Sequence, residues 1–469
     1  MASLIPRGPP APPPPRSSAP SGSGDNTLAP PVPPQRRPSH RSVKSHHYND
    51  APEELDLALK RAGGGGGSQK RTRATSRVVA DPSTLQAAAR SPEPRSASTE
   101  SASSSEEPVY PAFEPNTSST PPPPPEARLH RRYGPPRSTG ADSQAQWPAD
   151  VLLLDQLAFA EPTKLVLLFV TGNPGLVAYY RHFLASLRDA LPADLKAQTV
   201  VHAIGHLGHT PDMSASERRG FNPAAQATLE DQVADKVAYV EELAETYRFG
   251  QDDAPKLVLL GHSIGAWISM QVMKERPSLV SSVHALFPTI SHMAKTKNGR
   301  SLSPLFSSWS LRPVFYSTSF LSYLPTGLTS RIVSLLTGQS GAGAQTTTEL
   351  VSSPESVLAA LVMARHELGT VTDLDTEVLE QYGDRLWFYW AAEGNDGWVT
   401  EEAVEEIEAC LESRWGEDGR KRRARCQEEI PHAFVLNDAH SNSLAQKCAS
   451  WIVDDLEPAP SPSRDKDTA

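Results

Sequence analysis

The stretch KLVLLGHSIGAWISMQVM, from Lys256 to Met273, constrains this chain more than any other. Leu257–Leu260 is an unbroken apolar run, the pattern of a strand buried on both faces. It leads straight into Gly261-His262-Ser263-Ile264-Gly265 and then into a helical stretch. A strand that turns into a helix this quickly leaves no room for side chains where the two approach, so Gly261 and Gly265 fit by having no Cβ. Ser263 at the apex is then exposed, with its hydroxyl at a helix amino terminus that favours developing negative charge. In this strand–turn–helix setting G-x-S-x-G reads as a nucleophile elbow; the bare pentapeptide would not support that.

Around this centre the chain divides sharply in composition. Most of the 44 prolines fall before Ala149, together with APPPP, TPPPPP, a glycine run and the serine run SASTESASSSEE. Such a segment cannot bury enough apolar surface to offset ordering entropy, so residues 1–146 are expected to be a disordered tail, as is 456–469. The remainder, 147–455, suffices for one large α/β domain. The net charge of −10 gives no footprint for nucleic acid, and QKRTRATSR reads as a patch that keeps the tail solvated. The opening MASLIPRGPPAPPPP lacks the apolar centre of a secretory signal, and three scattered cysteines (Cys410, Cys426, Cys448) suit a reducing compartment, so residence in the cytosol is expected. The sequon at Asn116 is then not expected to carry glycan.

After Trp147, short apolar runs alternate with helical periodicity. Strands are expected at Val151–Leu154, Leu165–Val170, Thr199–Ile204, Leu257–Leu260, Val283–Phe287, Leu386–Ala391 and Ala433–Leu436. Between them Val177, Tyr180, Leu184, Leu187 and Leu191 recur at helical spacing, as do Leu229, Val233, Val237, Val240 and Leu243. This alternation predicts a mostly parallel sheet with helices on both faces. Residues 288–377 interrupt it with a Phe-, Tyr-, Leu- and Ser-rich segment poor in charge. It reads as an apolar lid inserted over the carboxyl edge of the sheet. Its prolines, Gly327 and hydroxyls speak against a membrane-spanning helix.

A serine nucleophile needs a base, and the base an orienting acid, in the chain order Ser, Asp/Glu, His for this kind of sheet. RLWFYWAAEGNDGWVTEEAVEEI supplies a late strand, a turn and a helix capped by Thr400. Asp396 in that turn is the expected acid, with Glu393 and Asp375 as weaker alternatives. His432 is the expected base, ahead of His440 at the start of the last helix. The oxyanion hole requires two backbone N–H groups. One is expected from Ile264, after the nucleophile. The other falls in Thr171-Gly172-Asn173-Pro174-Gly175, where Pro174 has no N–H; Asn173 is the first candidate and Gly175 the second. The loop does not continue as Gly-Lys-Ser/Thr, so it is no phosphate cradle of the P-loop kind. His202, His206 and His209 offer no fourth metal ligand, and RKRRAR at Arg420–Arg425 reads as a solvated loop after an acidic helix. No metal or cofactor is needed by this chemistry.

Taken together, FVTGNPGLVAYYRHF, LEDQVADKVAYVEEL, GHSIGAW, LFPTISHMAKTKNGR, GNDGWV and IPHAF resemble the lipid droplet-associated hydrolase family of α/β-hydrolases, from about Leu165 to Ile452. The resemblance implies an α/β-hydrolase fold and a serine hydrolase of neutral lipid esters, either sterol esters or acylglycerols. It places the protein on lipid droplets and the endoplasmic reticulum, on the cytosolic side, with a part in lipid storage. It puts the nucleophile on Ser263, the acid on Asp396 and the base on His432. The partners it implies are the lipid ester and the droplet monolayer or reticulum surface, met through the apolar insertion. The chain departs from the family by its long amino-terminal tail and by extra sequence between Asp396 and His432. A droplet-organising protein with little catalysis is the competing class, and an acyltransferase or thioesterase on the same fold a third.

Overall fold

The computed structural model describes residues 127–133, 147–154, 162–220, 228–251 and 253–456. The expected tail segments, the basic patch QKRTRATSR and Asn116 lie outside them, apart from Ala127–Tyr133 and the chain's approach to Leu456. Eight strands form one sheet: β1 Ala127–Tyr133, β2 Pro148–Leu154, β3 Leu165–Val170, β4 Thr199–Ile204, β5 Lys256–His262, β6 Ser282–Leu286, β7 Leu386–Trp390 and β8 Arg423–Arg425. Their spatial order is β1-β2-β4-β3-β5-β6-β7-β8. β2 runs antiparallel to both neighbours, and from β4 to β8 every pairing is parallel. This is the α/β-hydrolase arrangement.

The central strands are apolar on both faces because both are covered. Along β3, Val166, Leu168 and Val170 enter one core while Leu165, Leu167 and Phe169 enter the other. β5 repeats the alternation, with Leu257 and Leu259 opposite Val258 and Leu260. That is the period of two expected of a doubly covered strand. The helices of ten residues or more are α1 Arg181–Ala190, α2 Leu229–Tyr247, α3 Ile264–Glu275, α4 Ser308–Ser322, α5 Thr326–Thr337, α6 Gly341–Val351, α7 Pro354–Thr370, α8 Glu401–Trp415 and α9 Asp438–Leu456. α2, α3 and α8 contribute to one core; α1 and α9 contribute Phe183, Leu184, Leu187, Leu444, Cys448 and Trp451 to the other. The caps are local: Thr228 accepts from Asp231 N at the start of α2, and Thr400 from Ala403 N at the start of α8.

Three expectations are corrected. Ala127–Tyr133, inside the stretch read as tail, is an edge strand. It is mostly exposed, so no apolar signal marks it. What holds it is the ladder to β2 and two arginines: Arg131 reaches Asp150 and Glu217, and buried Arg132 pairs with Asp235 and Glu242. Arg423–Arg425, read as part of a solvated loop, pairs with β7. Its neighbouring charges are taken up by α8, with Arg425 on Glu401 at 2.6 Å and Arg423 Nη1 on the Glu408 carbonyl. Ala433–Leu436, read as a strand, contains a 3-10 turn, Phe434–Leu436. Only Phe434 of that turn is fully buried, and Leu436 is 42% exposed, so a short apolar run here serves one anchor rather than a sheet.

The insertion between β6 and β7 is helical. α4 to α7 carry most of it, and Pro313 lies within α4. Among the described residues no helix is long and apolar enough to cross a membrane.

Candidate active site

The elbow between β5 and α3 is shaped by its backbone. Ser263 has φ 55° and ψ −124°, a conformation side-chain-bearing residues rarely adopt. It is pinned by Ser263 N donating to Leu286 O at 3.0 Å and by Thr289 N donating to Ser263 O at 3.3 Å. The flanking glycines are required by contact. A Cβ on Gly261 would lie 2.4 Å from Gly265 O, and one on Gly265 would lie 2.3 Å from Val170 O. Both obstacles are backbone, which cannot rotate aside.

Ser263 Oγ lies 2.9 Å from His432 Nε2, and His432 Nδ1 lies 2.9 Å from Asp396 Oδ2. Asp396 Oδ1 accepts from Trp398 N at 2.7 Å, so the acid's second oxygen is fixed by its own turn. Asn395 Nδ2 donates to Glu429 O at 3.1 Å, which ties the turn after β7 to the loop carrying His432. The extra sequence between acid and base therefore folds out through α8 and β8 and returns to the same place. Of the alternatives, Glu393 is exposed, Asp375 is engaged by Lys274 and caps the short helix Thr376–Tyr382, and His440 sits in the first turn of α9.

The TGNPG loop follows β3, beside the elbow. Thr171 N donates to Ile204 O, Gly172 N to Tyr180 Oη at 3.0 Å, and Gly175 N to Gly172 O at 2.7 Å. Pro174 has no N–H. Among the described residues the amides of Asn173 and Ile264 have no protein acceptor, and these are the two singled out from the sequence; Gly175, the second candidate, is committed to its turn. The Asn173 side chain is held by α7, with Nδ2 2.9 Å from both Ala360 O and Glu367 Oε1. Burial pushes the Glu367 carboxyl up to about 7, with the Asn173 hydrogen bond acting in the opposite sense. His209 Nδ1 lies 2.7 Å from Pro174 O, and burial lowers its pKa to about 4, so it holds the loop as a neutral donor.

His262 is also neutral: complete burial, then the neighbouring His432, holds its pKa well below the usual value. In the sequence His262 reads as the variable residue of the elbow, and Tyr180 as a core position within a stretch that carries the family resemblance. Neither His209 nor Glu367 carried a signal as a support of the loop, because their partners are distant in the chain. His202 is held between Tyr239 Oη and Tyr247 Oη at 2.8 and 3.0 Å. His206 and His209 stack edge to face against each other. Among the described residues no group of three or more His, Cys, Asp or Glu is placed to hold a metal ion.

Chemically, the arrangement couples a hydroxyl to an imidazole and the imidazole to a carboxylate, with two free amides nearby. That set is suited to acyl transfer through a covalent intermediate. Comparison with known proteins gives a narrower likeness. Residues 163–435 match the family described as lipid-droplet associated hydrolase. The chain is 32% identical over 298 residues to the lipid droplet-associated hydrolase of Gallus gallus, covering 62% of this chain and 86% of that one. It is 30% identical over 294 residues to that of Drosophila melanogaster, covering 60% and 87%, and 29% identical over 304 residues to that of Homo sapiens, covering 62% and 86%. Among solved structures, a haloalkane dehalogenase DbeA-M1 loop variant from Bradyrhizobium elkanii aligns over 70% of this chain and 97% of its own, at 14% identity and a TM-score of 0.45. A thermophilic esterase from Thermogutta terrifontis aligns over 70% and 100%, at 12% identity and a TM-score of 0.41.

Proposed function

This chain belongs to the lipid-droplet associated hydrolase family, and from that membership and the site we propose that it is a serine hydrolase of neutral lipid esters, sterol esters or acylglycerols, working at lipid droplets and the cytosolic face of the endoplasmic reticulum in lipid storage. The observation that carries the reading is the unbroken chain from Asp396 through His432 to Ser263, both links at 2.9 Å. Ser263 Oγ adds to the ester carbonyl while His432 Nε2 takes its proton. Asp396 holds the imidazole with Nδ1–H toward itself and stabilises the imidazolium. The carbonyl oxygen, now an anion, is received by the amides of Ile264 and Asn173. His432 returns the proton to the departing alcohol as the C–O bond breaks. Water, deprotonated by His432, then cleaves the acyl-enzyme.

Purified protein and Ser263→Ala would be compared for labelling by a fluorophosphonate probe and for hydrolysis of cholesteryl oleate and trioleoylglycerol emulsions. Labelling and hydrolysis by the wild type, both abolished in the variant, are expected. Wild-type protein that neither labels nor turns over would sink the enzyme reading.

A second reading, a droplet-binding protein with little catalysis, is favoured by one surface. On α4, Trp309, Tyr316 and Phe320 recur at helical spacing and are exposed, and Tyr323, just after its end, is 87% exposed. On α5, Leu328, Leu335 and Leu336 do the same. Such a face is suited to lying in a lipid monolayer without spanning it. Droplet binding that survives Ser263→Ala, beside absent turnover in the wild type, would favour this reading over the first.

A further inference from the structure

We propose that His262 and Tyr180 form a buried strut that positions His432 against Ser263, with His262 locked as its Nε2–H tautomer. The proposal rests on the serine-hydrolase reading and deepens it. His262 Nε2 lies 2.9 Å from the backbone oxygen of His432, and His262 Nδ1 lies 2.8 Å from Tyr180 Oη, which receives Gly172 N at 3.0 Å.

Donor and acceptor counts fix every proton in this chain of bonds. A carbonyl oxygen only accepts, so His262 Nε2 carries a hydrogen. The ring is neutral, so Nδ1 is a lone pair and takes the Tyr180 O–H. The phenol oxygen is then left to accept from Gly172 N–H. One arrangement satisfies all four groups. The phenol's own titration is moved further from the neutral range by its complete burial.

The strut's ends are the parts of the site that must stay in register. One end is Gly172, whose neighbour Asn173 offers the free amide. The other is the backbone of the base itself. Its middle is the residue preceding the nucleophile. The ring of His262 is packed edge to face against Phe434 and Phe287, with the His432 ring 5.1 Å away, so the side chain has no second position to swing into. An apolar residue at 262 would satisfy that packing but leave the His432 carbonyl and the Tyr180 hydroxyl without these partners, a loss felt most in a buried site.

The two ends can be cut separately. His262→Gln keeps an N–H at the ε position, toward His432 O. His262→Asn keeps only an acceptor at the δ position, toward Tyr180. These two, with Tyr180→Phe, would be compared with wild type in kinetics on p-nitrophenyl butyrate, in thermal unfolding and by proton NMR of the His432 Nδ1–H. The expected result for His262→Asn is a fall in kcat on the order of 10²-fold with KM changed by less than about twofold, the signature of lost positioning. His262→Gln is expected to retain most of kcat, and Tyr180→Phe to fall between them. The low-field His432 Nδ1–H resonance should persist in His262→Gln and broaden or vanish in His262→Asn. Equal losses in the Gln and Asn variants that only follow their melting temperatures, with an unchanged resonance, would overturn the proposal. Absence of wild-type turnover refutes the hydrolase reading instead, and the resonance alone then decides whether the strut holds His432.

Discussion

Glu367→Gln separates a buried charge from a buried hydrogen bond. The Glu367 carboxyl on α7 is held at about 7, against 4.5 for an ordinary glutamate, chiefly because burial disfavours its ionised form. Between these two values the folded chain keeps a proton that the unfolded chain has released. The unfolded state binds fewer protons there, so stability falls as pH rises through the window, is fully present below pH 4.5, and is lost above pH 7. At about 1.4 kcal/mol per pH unit, the gap amounts to about 3 kcal/mol by pH 8. Glutamine keeps an oxygen for Asn173 Nδ2 and has no charge to bury. The assay is unfolding in urea at intervals from pH 4.5 to 8 for wild type and variant, read as a difference. All other titrating groups are common to both and cancel. The variant's relative stability should climb by about 3 kcal/mol from acid to pH 8, with a corresponding rise of several degrees in melting temperature. A difference curve that is flat with pH would show that Glu367 carries no raised pKa and refute the reasoning.

Three further outcomes are expected. Asp396→Asn should lower kcat on the order of 10⁴-fold while leaving KM nearly unchanged, because the amide no longer fixes the Nδ1–H tautomer of His432; kinetics on a soluble ester checks it, and a loss below tenfold contradicts the assignment. Replacing Trp309, Phe320 and Leu335 together with Ser should abolish flotation with triacylglycerol-cored, phosphatidylcholine-coated droplets. It should leave kcat on p-nitrophenyl butyrate and the melting temperature unchanged, since these side chains are exposed. Asn173→Ala keeps the backbone amide but removes both bonds to α7. It should lower kcat roughly 10- to 10²-fold through a mispositioned donor, and unaltered turnover would mean that α7 has no hold on the oxyanion loop.

The fold was legible where burial is two-sided and local. β3 is a continuous apolar run and β5 contains one at Leu257–Leu260 because helices cover both faces. β4 stays largely apolar around Thr199 and His202, and the elbow announces itself within five residues. β1 was not legible, because its order comes from Arg131 and Arg132 reaching acids far along the chain. β8 was hidden for the same reason, with one ion pair and one hydrogen bond to α8 doing what an apolar stripe does elsewhere. Ala433–Leu436 misled in the other sense: an apolar run is a strand only if a neighbouring strand is there to pair with it, and here Phe434 alone plugs the core. At the site, residue types and chain order marked Ser263, Asp396 and His432, which the fold brings into contact. The second layer was silent, since Tyr180 and His262 are 82 residues apart, and Asn173 and Glu367 194 apart.

That second layer explains why TGNPG is more than a corner between β3 and the helical turn after it. A corner needs only glycines and a turn hydrogen bond. This loop is gripped from three sides by different parts of the molecule: Tyr180 beneath Gly172, His209 on the Pro174 carbonyl, and α7 on the Asn173 side chain. Preorganisation of an oxyanion donor requires that the peptide not reorient as charge appears, and a loop anchored at three consecutive residues meets that requirement. One anchor comes from the insertion, which also presents the apolar face of α4 and α5. Tyr179, adjacent to the strut, adds a fourth tie, from its hydroxyl to Thr347 of α6 at 2.8 Å. The insertion therefore helps to hold this loop, whose Asn173 amide is the proposed oxyanion donor. A displacement of α7 away from the sheet would break both bonds to the Asn173 side chain, so under the proposed mechanism movement of the insertion would loosen the grip on the oxyanion loop.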